Sequence, residues 1–224
     1  MNRNPIGIFD SGIGGLSVVR EIKKLLPNES IIYLADKENF PYGEKTPAQI
    51  RKISKKNVDR LLAHKVKLVV IACNTATVHA ISYLRQQYPF VSFVGMEPAV
   101  KPASIVCKKG IIILSSPKAK VSKQLGSLIK KHAGNIKIFN IASLELVRAV
   151  EEKWSQVRIK KILSSILPRK ILKQADVIVL GCTHFALIKN QIQKHVGKNI
   201  KVIDSGLAVA RQVQKLLKEE ILLI

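Results

Sequence analysis

Eight short runs dominated by Ile, Val and Leu recur along the chain, each separated from the next by a longer amphipathic stretch. In order they are "IGIFD", "SIIYLAD", "LVVIAC", "FVGME", "GIIILSS", "IKIFNIA", "VIVLGC" and "IKVIDS". Runs this short and this continuously apolar, rather than alternating apolar with polar, are strands covered on both faces. Helices such as "EIKKLL" and "IRKISKKNVDRLL" fall between them and supply that cover. The pattern predicts an α/β chain with mainly parallel sheets and short connections. None of the runs approaches the 18 or so apolar residues that would span a bilayer. The start "MNRNPIGIFD" enters a strand directly, without the basic, apolar and small-residue succession of a secretory leader.

The order of features repeats. "VIACNTATVHAI" around Cys73 returns as "VLGCTHFALI" around Cys182, 109 residues later, and the strand with a small polar pair at Asp10–Ser11 returns at Ser115–Ser116, displaced by 105. Two similar displacements predict two similar α/β lobes related by a pseudo-twofold, an internal duplication rather than a repeat array. The expected division is 1–97 plus 206–224 for the first lobe and 98–205 for the second. In open parallel sheets ligands gather beyond the carboxyl ends of the strands. Asp10, Ser11, Cys73, Asn74, Thr75, Cys182, Thr183 and His184 all fall at such ends, so two facing lobes would direct both sets into one cleft, the expected active site.

The three cysteines, Cys73, Cys107 and Cys182, are an odd number in a chain of this size, which argues against a disulfide framework and for reduced thiols in a cytoplasm. No Cys-x-x-Cys spacing suggests zinc. Cys107, in "SIVCKKG", reads as a small apolar residue. Cys73 and Cys182 each sit where a buried strand gives way to a helix, and backbone N–H groups there favour a thiolate. An ordinary thiol, with a pKa near 8.5, is only about 3% ionised at neutral pH. Each also has an assistant at hand: Asp10 for the first lobe, His184 for the second. Two acid/base groups approaching from opposite sides suit the removal of a proton from one face of a carbon and its return to the other, which is racemisation. That chemistry calls for no cofactor and no metal. A thiol hydrolase would need only one cysteine and an oriented histidine.

The turn "DSGIGGLSVVREI" followed by "SIIYLAD" imitates a dinucleotide-binding unit, with Asp36 as the closing acid. Ser17 stands where a third glycine is required, and Asp10 would set a negative charge beside a pyrophosphate. A small anion such as a carboxylate, held by the turn and by helix-start amides, suits these residues better. "ENFPYGEKT" reads as a loop over the cleft, with Pro41 and Gly43 shaping a turn around Tyr42. The formal net charge of +23 raises nucleic acid as a partner, but the lysines are scattered over helical faces and aromatics make up only 5%. No specific nucleic-acid contact is expected.

With these motifs in place, the chain resembles the glutamate racemases of the aspartate/glutamate racemase superfamily. "GIFDSGIGGLSV", "ADKENFPYGEKT", "ACNTAT", "GMEPAVKPA" and "LGCTHFALI" carry the resemblance over nearly the whole length, in family order. It implies cofactor-independent interconversion of L- and D-glutamate in a bacterial cytoplasm, supplying D-glutamate to peptidoglycan, and a C-terminal helix that returns to the first lobe. By position, Cys73 is expected to act on the D-enantiomer and Cys182 on the L-enantiomer, assisted by Asp10 and His184. Ser11, Tyr42, Gly43, Asn74, Thr75, Ser116, Glu151 and Thr183 match groups around the substrate, to which Asp10 and His184 also belong. The departures cluster in the second lobe: Ala119 replaces a hydroxyl-bearing residue, Ser143 and Arg148 lie in an altered "IASLELVRAVE", and Ala186 stands where proline is usual. The stretch between Glu151 and Cys182 is also short for the family. A racemase for another amino acid such as aspartate, or a decayed racemase acting as a binding module, are the alternative readings. A homodimer is left open by the sequence.

Overall fold

The computed structural model describes residues 4–222. The chain divides into two compact units, one comprising Met1–Glu97 with Gly206–Ile224 and the other Pro98–Ser205. The first contains β1 (Ile6–Asp10), α1 (Leu16–Leu25), β2 (Ile31–Ala35), α2 (Pro47–Leu62), β3 (Leu68–Ile71), α3 (Asn74–Gln87) and β4 (Phe93–Gly95). In the second come α4 (Val100–Val106), β5 (Gly110–Ser115), α5 (Pro117–Lys120), α6 (Lys123–His132), β6 (Lys137–Ala142), α7 (Leu144–Glu151), α8 (Gln156–Ile166) and α9 (Arg169–Leu172). It ends with β7 (Val177–Gly181), α10 (Thr183–Leu187), α11 (Lys189–Val196) and β8 (Lys201–Ile203), after which α12 (Gly206–Leu222) rejoins the first unit.

All eight apolar runs are strands, and every pairing among them is parallel. The first sheet has the order β2-β1-β3-β4 and the second β6-β5-β7-β8. Numbered within its own unit, each sheet therefore reads 2-1-3-4. The strands that end at Asp10 and just before Cys73 are neighbours in one, and those that end at Ser115 and just before Cys182 are neighbours in the other. The duplication seen in the sequence is thus also a duplication of topology.

In the first unit the period-2 alternation of β1 and β3 feeds two cores. Ile6, Ile8, Leu68 and Val70 point into a cluster with Val18 and Ile22 of α1 and Val209, Ala210 and Val213 of α12. Phe9, Val69 and Ile71 point the other way, onto Ile50, Val58 and Leu61 of α2 and Ala76, Ala80 and Leu84 of α3. Fully burying one such aliphatic side chain stabilises the fold by roughly 1.5–3 kcal/mol. In the second unit Ile111, Ile113, Val177 and Val179 pack with Val100 and Ala103 of α4 and Leu125 of α6. Ile112, Leu114, Ile178 and Leu180, on the other face, are equally inaccessible to water.

The helices start where side chains can satisfy their first N–H groups. Thr46 and Gln49 form a reciprocal capping box at α2, with Pro47 in the first turn. Ser122, Ser143 and Ser155 cap α6, α7 and α8 by accepting from the backbone N–H of Leu125, Leu146 and Arg158. The departure at Ser143 therefore has a local reason: it opens the helix that carries Glu151. Among the described residues no helix is long and apolar enough to cross a membrane.

Asp176, which leads into β7, ties the other end of the second sheet together. Its carboxylate accepts from the backbone N–H of Lys108 at 2.7 Å, Lys109 at 3.1 Å and Gly110 at 3.3 Å, and from the Cys107 thiol at 3.3 Å. Partial burial pushes the carboxyl upward, but the backbone donors at Lys108 and Lys109 outweigh it and hold the group below its ordinary range. A depressed carboxylate stabilises the fold above its unfolded pKa and loses that contribution as pH falls through the folded value. Asp176→Asn is therefore expected to lower neutral-pH stability by about 1–2 kcal/mol. In thermal melts the gap from wild type should close below about pH 4.

Candidate active site

Each sheet presents polar groups beyond the carboxyl ends of its two central strands, where the helices that follow begin. In the first unit Asp10 ends β1 fully buried, and its Oδ2 accepts from the backbone N–H of Gly15 at 2.8 Å. That bond closes the Gly12–Gly15 turn. Gly15 has to be glycine, because a Cβ there would stand 2.7 Å from Cβ of Asp10 and 2.8 Å from the Tyr33 hydroxyl. Tyr33 in turn donates to the carbonyl of Gly12. The turn is thus held by side chains of its own sheet, and the acid at its start is part of the clamp.

Cys73 is the N-cap residue of α3, directly after β3, and its Sγ lies 3.8 Å from Oγ of Ser11. Asn74 and Thr75 form the first turn of α3, both buried. The Asn74 side chain donates to the carbonyl of Met96 at 3.4 Å, while its Oδ1 has no hydrogen-bond partner among the described residues. One turn further, Thr77 donates to the carbonyl of Ile71 and accepts from the N–H of Met96 at 3.0 Å, pinning α3 to the ends of β3 and β4. Asp10, Ser11, Cys73, Asn74 and Thr75 are therefore gathered at one edge of one sheet.

The "ENFPYGEKT" segment, read as a loop with a turn around Tyr42, lies across two 3-10 turns, Lys37–Asn39 and Tyr42–Glu44. Tyr42 and Gly43 are buried, and Tyr42 shares a packed cluster with Cys73. The Tyr42 hydroxyl donates to Oδ2 of Asp36 at 2.6 Å. Burial foremost, and then that bond, push the Tyr42 phenol far above its ordinary value, with Cys73 and Asp10 close enough to add to the effect. Asp36, the acid that imitates a ribose ligand in the sequence, is thus engaged inside the protein.

In the second unit Cys182 caps α10 directly after β7, and Thr183 and His184 begin that helix, all three buried. The Cys182 Sγ is 3.8 Å from Nδ1 of His184. On the other side of the ring, Nε2 lies 2.8 Å from Oε2 of Glu151, at the end of α7. A carboxylate can only accept, so Nε2 carries the proton and Nδ1 faces the thiol with its lone pair. Thiol, imidazole and carboxylate form a chain in which Cys182 can pass its proton to His184 while Glu151 steadies the resulting cation. Glu151 thus enters as the partner of His184, whereas the sequence had suggested it only as a group around a substrate.

Ser116 is the N-cap residue of α5, and Ser115, which ends β5, is wholly buried with a hydroxyl that has no hydrogen-bond partner. Ala119 sits inside α5, inaccessible to water. No disulfide joins Cys73, Cys107 and Cys182. Among the described residues no group of three or more His, Cys, Asp or Glu could hold a metal ion. Sequence reasoning overlooked two polar groups of the first unit, Asn57 and Thr77. Asn57 could have been noticed as the one amide on the apolar side of α2, in phase with Ile50, Val58 and Leu61.

Two parallel sheets of the same strand order each place a cysteine at the N-cap position of a helix beyond a central strand. The model of the Asp/Glu/Hydantoin racemase family matches residues 6–213, and the chain belongs to that family. It is 42% identical over 221 residues to the glutamate racemase of Herpetosiphon aurantiacus, an alignment covering 97% of this chain and 86% of that one. The crystal structure of Escherichia coli glutamate racemase, in complex with L-glutamate and the activator UDP-MurNAc-Ala, superposes with a TM-score of 0.88 at 35% identity, covering 96% and 83% of the two chains. That of Francisella tularensis glutamate racemase in complex with D-glutamate gives 0.83 at 30% identity, covering 99% and 83%.

The geometry around Cys182 makes its reactivity depend on the imidazole. Replacing His184 by Asn should slow iodoacetamide alkylation of Cys182 at neutral pH by about tenfold, because the proton acceptor is lost. Cys73, which lies in the other unit with its Sγ beside the Ser11 hydroxyl, should react as in wild type, and peptide mapping by mass spectrometry distinguishes the two.

Proposed function

We propose that the protein is a glutamate racemase that interconverts L- and D-glutamate by a two-thiol mechanism. The observation that carries this reading is the repeated strand–cysteine–helix arrangement, at the same place in two sheets of the same topology. Family membership and relatives named glutamate racemase support it.

In this mechanism one thiol, as thiolate, removes the α-proton from one face of the substrate, and the other, as thiol, delivers a proton to the opposite face. The two sulfurs exchange protonation states in each turnover, so the reverse reaction starts from the state the forward one leaves. Cys182 removes the proton of L-glutamate, having first passed its own to His184, whose cation Glu151 offsets. Cys73 removes that of D-glutamate, with Ser11 and Asp10 beside it. The scheme asks for no cofactor. Asn74, Thr75 and the Tyr42–Gly43 turn hold the substrate on the first unit, and Ser116 and Thr183 on the second. The Asn74 Oδ1, buried and without a partner among the described residues, suits the substrate ammonium. The product serves peptidoglycan synthesis in a bacterial cytoplasm.

The test is proton NMR of L-glutamate in deuterated buffer with reduced protein and no added cofactor, together with chiral detection of D-glutamate. Loss of the α-proton signal with formation of D-glutamate is expected, and Cys73→Ala and Cys182→Ala should each abolish racemisation in both directions. Full racemisation by either variant would sink the two-thiol mechanism. Exchange on aspartate in place of glutamate would move the assignment to a different amino acid.

A further inference from the structure

The turn that carries Tyr42 is tied to helix α2 by a buried polar network that the proton transfers do not use. Asp36, at the end of β2 and only 3% exposed, is its centre. Its carboxylate accepts from the Tyr42 hydroxyl at 2.6 Å, from Nδ2 of Asn39 at 2.9 and 3.1 Å, and from Nδ2 of Asn57 at 3.1 Å. The same Asn57 nitrogen donates to the Tyr42 hydroxyl oxygen at 2.9 Å. Asn57 therefore fixes the direction of the phenol: with its oxygen accepting from the amide, the hydroxyl proton can go only to Asp36.

Asn57 is 2% exposed and stands among Ile50, Val58 and Leu61 on the inward side of α2. An aliphatic residue would satisfy packing there, and an amide without partners would be costly to bury. Its place is explained by what it holds. Tyr42 packs in the same cluster as Cys73, and α3, which Cys73 caps, packs against the Tyr42–Glu44 turn. Releasing the phenol would release the turn that packs on α3 in the same cluster as the Cys73 thiol, itself only 5% exposed.

We propose that Asn57 is a positioning residue, which with Asp36 locks the Tyr42 hydroxyl and so holds the Tyr42–Gly43 turn against Cys73 in the geometry that receives substrate. This rests on the reading of that turn as a substrate-holding element. Tyr42 then contributes through where it fixes the turn, since its hydroxyl is engaged inside the protein.

The experiment compares wild type with Asn57→Leu and Tyr42→Phe in the reduced full-length chain, by two readouts. Iodoacetamide alkylation followed by peptide mapping should show Cys73 reacting about tenfold faster in both variants, with Cys107 and Cys182 unchanged, because one local lock has been opened and the rest of the fold has not. Glutamate KM should rise about tenfold in both directions, with kcat changed much less. An unchanged Cys73 rate, or an unchanged KM, overturns the proposal. If Asn57→Leu exposes all three thiols together, Tyr42→Phe decides: a rise confined to Cys73 upholds the lock and no rise overturns it. If wild type turns over no glutamate while alkylation remains selective for Cys73, the functional reading fails and the lock itself stands. If turnover is present and neither readout moves, the lock fails and the reading stands.

Discussion

The structure depends on strands that are buried on both faces and ordered so that the two central ones end side by side. Because β1 and β3 pair in register and both lose water from either face, they reach polar surroundings only at their ends. Asp10 and Cys73 emerge together at the carboxyl ends, and β5 and β7 repeat the device for Ser115 and Cys182. The apolar walls below keep these groups from drifting, since any rotation of a central strand would turn aliphatic side chains out of one of the two clusters. The placement of these polar groups and the packing of the core are in this sense one constraint.

The two units differ in what they set beside their thiols. Cys182 has an imidazole against it and a carboxylate behind that, a relay built within one unit. Cys73 has a hydroxyl beside it and a packed tyrosine near it, with the carboxyl of Asp10 engaged in closing a glycine turn. The surroundings of the two thiols thus differ although the sheets that carry them share one topology. The departures of the second unit coexist with this relay: Ser143 caps the helix that presents Glu151, and Ala119 is buried inside α5.

Much of this was legible before any coordinates. Continuous Ile/Val runs announced parallel strands because a strand covered on both faces has no reason to alternate, and all eight were found. Cys73, Cys182 and the small polar residues beside Asp10 stood out because the same arrangement occurs twice. The partners of those residues were less visible. Glu151 is 33 positions from His184, and Asn57 is 21 from Asp36. Neither separation has a periodic signature, so only the packing of α7 on α10, and of α2 on the first sheet, brings the pairs to hydrogen-bond distance.

The sequence by itself determined the fold class, the duplication, the two cysteines and the family, because these follow from local periodicity and from residue order along the chain. Tertiary structure alone decided that Glu151 backs His184, that Asp36 is consumed by Tyr42, Asn39 and Asn57, and that the acid of the glycine turn is its clamp. The physical reason is the range of the interactions. Burial of an apolar stripe is non-directional and is written in composition and period, whereas a hydrogen bond needs two atoms within about 3 Å at a narrow angle, a condition met only once the chain has closed on itself.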